Sequence, residues 1–227
     1  MRLAGLFSGG KDSTLSIHLA GEEGHEVSAL VTLASKNPES YMFHVANIHL
    51  APLQAEAMGL PIIYRETEGE REAELGDLRE ALREAVERYR IEGVLSGAVA
   101  SSYQKRRIDR ISSELGLASL SPLWGSEARE LLAEMVRRKF KVIVSAVAAE
   151  GLGPGWLGRQ LDVSAIEELE ELSERHRFSL AGEGGEFETL VLDAPMFKKR
   201  LEVLEAEVLW SGGSGVYFIK KSRLVDK

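Results

Sequence analysis

The sequence predicts an α/β protein, with a parallel sheet covered by helices on both faces and a smaller α+β domain after it. Three observations support this prediction. Short apolar segments alternate with amphipathic segments through the first half of the 227 residues. A glycine-rich turn directly follows the first of these segments, which is where open parallel sheets bind ligands. The second half loses the alternation and ends in two β-rich segments joined by glycines, a pattern typical of antiparallel pairing.

Five short apolar segments in the first half have the composition of strands, and amphipathic segments separate them. The predicted strands are 2–7, 27–33, 61–64, 93–98 and 118–123, and the predicted helices are 12–23, 41–58, 70–89 and 104–115. The helix at 70–89 has the clearest pattern, because apolar residues recur in it every three or four positions. Strands that alternate with helices favour a parallel, Rossmann-like sheet.

The second half begins with a predicted helix at 127–139 and a buried strand at 141–147. The glycine-rich segment 150–159 fits neither kind of element. The change of pattern places a domain boundary near Gly125, which divides the chain into domains 1–125 and 126–227.

The last third of the chain contains an acidic helix, for which either Asp162 or Ser164 is the predicted N-cap. Segments 202–210 and 216–221 are predicted to pair antiparallel across Ser211-Gly212-Gly213.

Composition excludes several functions. The chain has 36 acidic and 28 basic residues and a net charge of −8, so no overall field attracts nucleic acid. Cysteine is absent, which excludes disulfides, thiolate nucleophiles and cysteine-bound metal clusters. No apolar run is long enough to cross a bilayer, and the N-terminus lacks a secretory cleavage site. We therefore expect a cytoplasmic protein without direct nucleic-acid or membrane partners, and we leave a homodimer open.

Residues 8–13, Ser8-Gly9-Gly10-Lys11-Asp12-Ser13, form a segment that we call the glycine loop. It lies between a predicted strand and a predicted helix, so unpaired amides and the positive end of the helix dipole point at one place. The glycines allow close backbone approach to an anion, the lysine adds a cation, and the serines can donate hydrogen bonds. The spacing fits neither the Walker A motif nor the dinucleotide fingerprint. The alternative is a tight turn in which Ser or Asp caps a helix.

The chain repeats Ser-Gly-Gly at 211–213, which provides an internal comparison. These residues lie between two predicted strands and lack the Lys-Asp-Ser continuation into a helix. We therefore interpret 211–213 as a hairpin turn and the glycine loop as a phosphate site.

The glycine loop resembles the signature of the PP-loop ATP pyrophosphatases, which cleave ATP between the α- and β-phosphates. Further similarity is to the diphthine–ammonia ligase family, in its short archaeal form. The segments that carry it are SKNPESYMFH (35–44), SGAVASSYQKRRI (96–108), GPGWLGR (153–159) and GEGGEFETLVLDAPMF (182–197). With the loop they span most of the chain, and the run EGGEFET is the most specific of them.

The resemblance implies an activity and its ligands. This family completes diphthamide, a modified histidine of translation elongation factor 2, by adenylating the carboxylate of diphthine and displacing AMP with ammonia. The expected cofactors are therefore ATP and Mg²⁺, and the expected partners are diphthine-bearing elongation factor 2 and ammonium. The absence of cysteine favours free ammonium over a built-in glutaminase.

The resemblance also assigns roles to the glycine loop and to two acids of EGGEFET. Residues 8–13 would hold the phosphates, with Lys11 catalytic and Asp12 contacting the Mg²⁺ that accompanies ATP. Thr32 and Gly97, near predicted strand ends, would complete the nucleotide site. Glu186 and Glu188 would bind ammonium and accept its proton. Because both alternate with apolar or small residues, they are also explained as the wet face of a strand.

Contacts to the substrate are expected from six residues in the quoted segments. They are His44, Tyr103, Gln104, Arg107, Trp156 and Glu183. A quaternary ammonium group, as in diphthine, favours such acidic and aromatic surroundings. Either Arg106 or Arg107 would meet phosphate or the protein substrate, although a charge run is usually a solvated helix face. Trp156 is explained equally well as a core residue.

Two other functions are compatible with the sequence. One is adenylation of a different substrate, tRNA or a small carboxylate, by an enzyme of the same superfamily. Transfer of sulfur to tRNA would need a carrier that a chain without cysteine does not supply. The other is a non-catalytic module that senses ATP or AMP, which would need the glycine loop but neither EGGEFET nor GPGWLGR.

Overall fold

The first half of the protein forms a five-stranded parallel sheet, as predicted. The computed structural model describes residues 1–36, 46–69 and 71–227. The strands are β1 (Arg2–Leu6), β2 (Glu26–Ser35), β3 (Ile62–Thr67), β4 (Gly93–Leu95) and β5 (Ala118–Leu120), in the order β3-β2-β1-β4-β5. This Rossmann-like order reverses direction between β1 and β4, and a crevice opens at such a reversal.

Helices cover both faces of this sheet. They are α1 (Lys11–Glu22), α2 (Ala51–Met58), α3 (Arg71–Tyr89) and α4 (Ser102–Glu114). Helices α1 and α2 pack on the face that carries Leu3, and α3 and α4 pack on the face that carries Ala4. Successive residues of a strand point to opposite faces, so two neighbours in β1 enter two different cores.

Some predicted bounds differ from the structure. Of the helix predicted at 41–58, the described part consists of a 3₁₀ turn at Ile48–Leu50 and then α2, and residues 41–45 lie outside the described residues. Strands β4 and β5 end earlier than predicted, at Leu95 and Leu120. After β4 the chain bends past the start of α1 instead of continuing the sheet.

The second half forms the predicted smaller α+β part. It contains α5 (Ala128–Arg137), β6 (Lys141–Val147), α6 (Val163–His176), β7 (Phe187–Asp193), β8 (Lys199–Ser211) and β9 (Ser214–Asp226). The four strands make an antiparallel sheet in the order β7-β6-β9-β8. Asp162, not Ser164, caps α6, because its carboxylate accepts a hydrogen bond from Ala165 N at 2.9 Å.

The two halves share one hydrophobic core, in which Leu15 of α1 lies in the same cluster as Leu132 of α5 and Val191 of β7. The division into domains 1–125 and 126–227 stays a prediction. None of the described helices has the length and apolar character needed to cross a membrane.

The hairpin of β8 and β9 accounts for the second Ser-Gly-Gly. Ser211 pairs with Ser214, so the turn contains only Gly212 and Gly213, with φ angles of 59° and 88°. Two-residue hairpin turns with both φ angles positive favour glycine and match the twist of the strands. Residues 211–213 therefore form the predicted hairpin turn.

Gly97 allows the start of α1 to lie against the end of β4. A Cβ atom there would lie 2.7 Å from the backbone nitrogen of Ser13 and 2.8 Å from the carbonyl carbon of Asp12. Backbone atoms cannot move aside as a side chain can, so any larger residue must displace the glycine loop.

Gly97→Ala is expected to lower the free energy of unfolding by about 1–3 kcal/mol, because the added methyl group overpacks against the α1 backbone. Gly21→Ala is the control, because Gly21 lies in α1, the helix against which Gly97 packs, and a Cβ atom added there has nothing within 4 Å. Removing a helical glycine should raise the free energy of unfolding by roughly 0.5–1 kcal/mol. Urea unfolding of both variants measures the difference, and equal changes would contradict the close packing at Gly97.

Candidate active site

A cavity of about 420 Å³ lies at the carboxyl ends of the parallel strands. One side comes from the glycine loop and from residues 96–98 after β4. The other side comes from residues 181–185 and the start of β7. The fold thus brings the glycine loop and EGGEFET, which are far apart in the sequence, to the same cavity.

The glycine loop has the backbone of an anion site. Gly9 adopts a positive φ of 79°, and Gly10 is the N-cap of α1 without a side chain that caps the helix. The amides of Asp12 and Ser13, in the first turn of α1, therefore keep hydrogen-bonding capacity beside the cavity, at the positive end of the helix dipole. The hydroxyls of Ser8 and Ser13 lie 3.1 Å apart and line the same cavity.

Lys11 and Asp12 form an ion pair at the cavity, in which Lys11 is buried and Asp12 is partly buried. Lys11 is 5% exposed, and its Nζ donates to Asp12 Oδ2 and to the Ala181 carbonyl oxygen, both at 2.6 Å. The other carboxylate oxygen, Asp12 Oδ1, is buried and has no hydrogen-bond partner among the described residues. Burial raises the pKa of the Asp12 carboxyl, and the Lys11 charge opposes this shift without cancelling it.

The structure separates Glu186 and Glu188, the two glutamates of EGGEFET that were predicted to bind ammonium. Glu188 lies in β7, lines the cavity and accepts a hydrogen bond from Ala46 N at 2.6 Å. Glu186 accepts hydrogen bonds from Ser179 N at 3.0 Å and Gly184 N at 2.8 Å. Strand β7 begins at Phe187, so strand alternation does not extend to Glu186. Its carboxylate instead stabilises the turn before the strand.

Glu183 joins the two halves of the protein beside the cavity. Its two carboxylate oxygens accept hydrogen bonds from Val99 N at 2.8 Å and Ala100 N at 2.7 Å. Both amides belong to the segment between β4 and α4. Glu183 therefore holds residues 181–185 over the cavity.

The other predicted site residues lie at different distances from the cavity. Gln104, in the first turn of α4, lines it. Arg107 stacks on Tyr103 at the surface of α4, with its guanidinium carbon 3.4 Å from the ring centre. Thr32 is buried in β2, where its hydroxyl donates to the Phe7 carbonyl at 2.6 Å. Its neighbour Leu33 lines the cavity instead.

Trp156 lies in the shared hydrophobic core and is 5% exposed. The guanidinium carbon of Arg159 lies 4.4 Å from its ring centre. Of the two interpretations of Trp156, this position favours the core residue. His44 lies outside the described residues.

Sequence reasoning missed two polar residues that hold the glycine loop. Thr189 Oγ1, in β7, accepts a hydrogen bond from Lys11 N at 3.1 Å. Gln54 Nε2, in α2, donates to the Gly9 carbonyl at 2.9 Å. One signal was available, because Gln54 lies between Ala51 and Met58 on the buried side of a short apolar helix.

Burial raises the pKa of the Asp12 carboxyl in the folded protein, so ionisation of this group opposes folding. The stability that the protonated carboxyl allows is complete below the ordinary aspartate pKa and is lost as pH rises toward the raised pKa of the folded state. The free energy of unfolding of Asp12→Asn relative to that of wild type should therefore increase as pH rises above the ordinary aspartate pKa. Urea unfolding at several pH values, without nucleotide, measures it. Asp226→Asn, at an exposed position, is the control. A pH-independent difference for Asp12→Asn would contradict the assigned cost of burying its charge.

Known protein families and curated proteins match nearly the whole chain. The family model "Diphthamide synthase N-terminal domain" matches residues 1–119, and "Diphthamide synthase C-terminal domain" matches residues 127–225. A diphthine–ammonia ligase from Mus musculus is 36% identical, covering 99% of this chain and 92% of that protein. Its Homo sapiens counterpart is 36% identical over 92% of this chain and 85% of its own length. The Schizosaccharomyces pombe protein of that name is 35% identical, and the match covers all of this chain but 40% of that protein. The chain belongs to the diphthamide synthase family.

Proposed function

We propose that the protein amidates diphthine on translation elongation factor 2, using ATP and ammonium and passing through an acyl-adenylate. The observation that carries this proposal is the shared cavity, which has an anion-binding loop on one side and a carboxylate of EGGEFET on the other. The relatives named diphthine–ammonia ligase support the same reaction.

In the first step, a carboxylate oxygen of diphthine attacks the α-phosphorus of ATP. The bond from that phosphorus to the oxygen bridging to the β-phosphate breaks, and pyrophosphate leaves. Negative charge then accumulates on pyrophosphate, where the amides of the glycine loop and the Lys11 ammonium would stabilise it. Lys11 Nζ has three N–H donors, of which two bond to Asp12 and the Ala181 carbonyl, so the third would donate to a phosphate oxygen.

Asp12 would hold the Mg²⁺ that accompanies ATP. Its Oδ1 is a buried acceptor without a hydrogen-bond partner among the described residues, and carboxylate oxygen is a ligand that Mg²⁺ prefers. When bound, the ion would neutralise charge on the phosphates.

In the second step, ammonia attacks the carbonyl carbon of the acyl-adenylate and AMP leaves, which produces the amide. Ammonium has to lose a proton before it can attack. Glu188 is the better placed of the two candidate acids for accepting this proton, because it lines the cavity while Glu186 is bonded to turn amides. Gln104 and Glu183 line the same cavity. Each would contact the substrate, or hold residues 181–185 where they contact it.

Elongation factor 2 would dock at the open side of the cavity, near Tyr103 and Arg107 on α4. We retain three expectations from the sequence. The protein is cytoplasmic, it has no nucleic-acid partner, and a homodimer is open.

The reaction is tested with diphthine-bearing elongation factor 2, ATP, Mg²⁺ and ammonium. Mass spectrometry of the modified histidine should show conversion of the carboxylate to the amide, with one AMP and one pyrophosphate formed for each amide. No amide, from folded protein and verified diphthine, would refute the proposal. Tight ATP binding without turnover would instead support a nucleotide sensor.

Lys11→Ala should lower the rate of adenylation by about 10²–10³-fold, because the transition state loses its cation. Lys141→Ala, at an exposed position, and Gly212→Ala are the controls. Gly212→Ala strains a residue with φ of 59° and should cost roughly 1–2 kcal/mol of stability while leaving turnover intact. Equal loss of activity in Lys11→Ala and Gly212→Ala, without unfolding, would remove the distinction between the two Ser-Gly-Gly segments.

Glu188→Gln should lower the rate of amide formation by about 10²–10⁴-fold, because glutamine cannot accept the ammonium proton. Glu186→Gln is the matched comparison. It should instead lower stability by about 1 kcal/mol, because one hydrogen bond in the turn is lost. Single-turnover measurements with preformed acyl-adenylate isolate the second step. A larger kinetic effect at Glu186 would reverse the assignment.

A further inference from the structure

Gln54 is a buried polar side chain to which the proposed mechanism gives no role. It lies on α2 with 0% exposure, among the buried apolar residues Ala51, Ala55 and Met58. Its Nε2 donates to the Gly9 carbonyl at 2.9 Å and to the Val191 carbonyl at 2.8 Å. Gln54 thus connects α2, the glycine loop and β7.

Packing alone does not account for a glutamine at this position, because its burial lowers the stability of the fold. Gln54 Oε1 is buried and has no hydrogen-bond partner among the described residues. An amide that is buried with one atom unpaired opposes folding, and an unbranched apolar side chain of similar length would fill the same space without that cost. What the amide provides is two hydrogen bonds that fix neighbouring carbonyls.

The Gly9 carbonyl is held from two directions. It accepts from Gln54 Nε2 and also from Val191 N at 3.0 Å. Gly9 has a positive φ of 79°, and a Cβ atom on it would collide with Gln54 Oε1. The amide of Gln54 therefore lies directly against this glycine.

Planarity of the peptide extends this restraint to the next residue. The Gly9 carbonyl and the Gly10 N–H belong to one planar peptide group and point in opposite directions. Holding the carbonyl toward Gln54 and Val191 directs the N–H away from them, and Gly10 lines the cavity. That N–H donates to Ser8 Oγ at 3.4 Å, which is long for such a bond, so a phosphate oxygen can replace this acceptor.

We propose that Gln54 is a positioning residue, which orients the Gly10 N–H toward the phosphates of ATP by holding the Gly9 carbonyl. The inference rests on the proposed function in one respect, namely that the glycine loop binds ATP.

The test is the equilibrium dissociation constant for Mg²⁺·ATP, measured on the intact protein well below its unfolding temperature. Gln54→Met keeps the side-chain length but has no donor, and the dissociation constant should rise about ten- to hundredfold, the equivalent of one hydrogen bond to a charged group. Gln160→Met, at an exposed position, should leave it unchanged. A purely structural role would lower the unfolding midpoint of Gln54→Met without changing the dissociation constant, and that result overturns the inference.

Gln54→Glu adds a pH dependence that distinguishes a positioning role of Gln54 from a purely structural one. An ionised carboxylate would face two carbonyl oxygens, whereas a protonated one can donate to one of them. The ratio of its dissociation constant to that of wild type should therefore fall as pH falls, while the ratio for Gln54→Met stays constant. A ratio that does not change with pH for Gln54→Glu counts against the inference.

If neither Gln54 variant folds, the wild-type protein provides the measurement. On addition of Mg²⁺·ATP, the amide resonance of Gly10 should shift and its hydrogen exchange should slow. An unchanged Gly10 amide in protein that binds ATP overturns the inference. Wild-type protein that binds no ATP overturns both the inference and the proposed function. If Gln54→Met does fold, and it binds ATP as tightly as a wild-type protein that forms the amide, the inference is overturned and the proposed function is not.

Discussion

Hydrogen bonds between the glycine loop and β7 are the interaction on which the candidate site depends. Val191 N donates to the Gly9 carbonyl, and Lys11 N donates to Thr189 Oγ1. A glycine-rich turn has little intrinsic preference for one conformation, because glycine adopts many backbone angles at similar energy. The antiparallel sheet therefore fixes a loop that belongs, in sequence, to the parallel sheet. Both sheets are needed to hold the glycine loop in its observed conformation.

The same region carries the clearest conflict between stability and function. Lys11 is buried and Asp12 is partly buried, and taking charges out of water can cost more than their mutual attraction returns. The raised pKa of the Asp12 carboxyl expresses this cost. The unpaired carboxylate oxygen of Asp12 is unfavourable for the fold alone, but the proposed function gives it a ligand, the metal ion that accompanies ATP.

The parts of the structure that sequence predicted are those with local causes. Alternating strands and helices produced the parallel sheet, the two-glycine turn produced the hairpin, and the strand–turn–helix segment identified the glycine loop. Predictions were weaker where contacts between residues far apart in the sequence determine the position of a side chain. The spacing of Glu186 and Glu188 suggested a common face, but β7 begins between them, and only Glu188 lines the cavity. The burial of Trp156 and the bonds of Glu183 to Val99 and Ala100 likewise depend on which segments the fold brings together.

The long sequence separation within the site has a consequence for how the protein matures. Lys11 and its acceptor Thr189 are 178 positions apart. During synthesis the parallel sheet leaves the ribosome before β7 exists, and domains generally fold in that order. Until β7 is made and docked, the glycine loop lacks its bonds to Val191 and Thr189 but keeps the one from Gln54. The glycine loop therefore reaches its final conformation late in folding, after the last strands of the chain have been made.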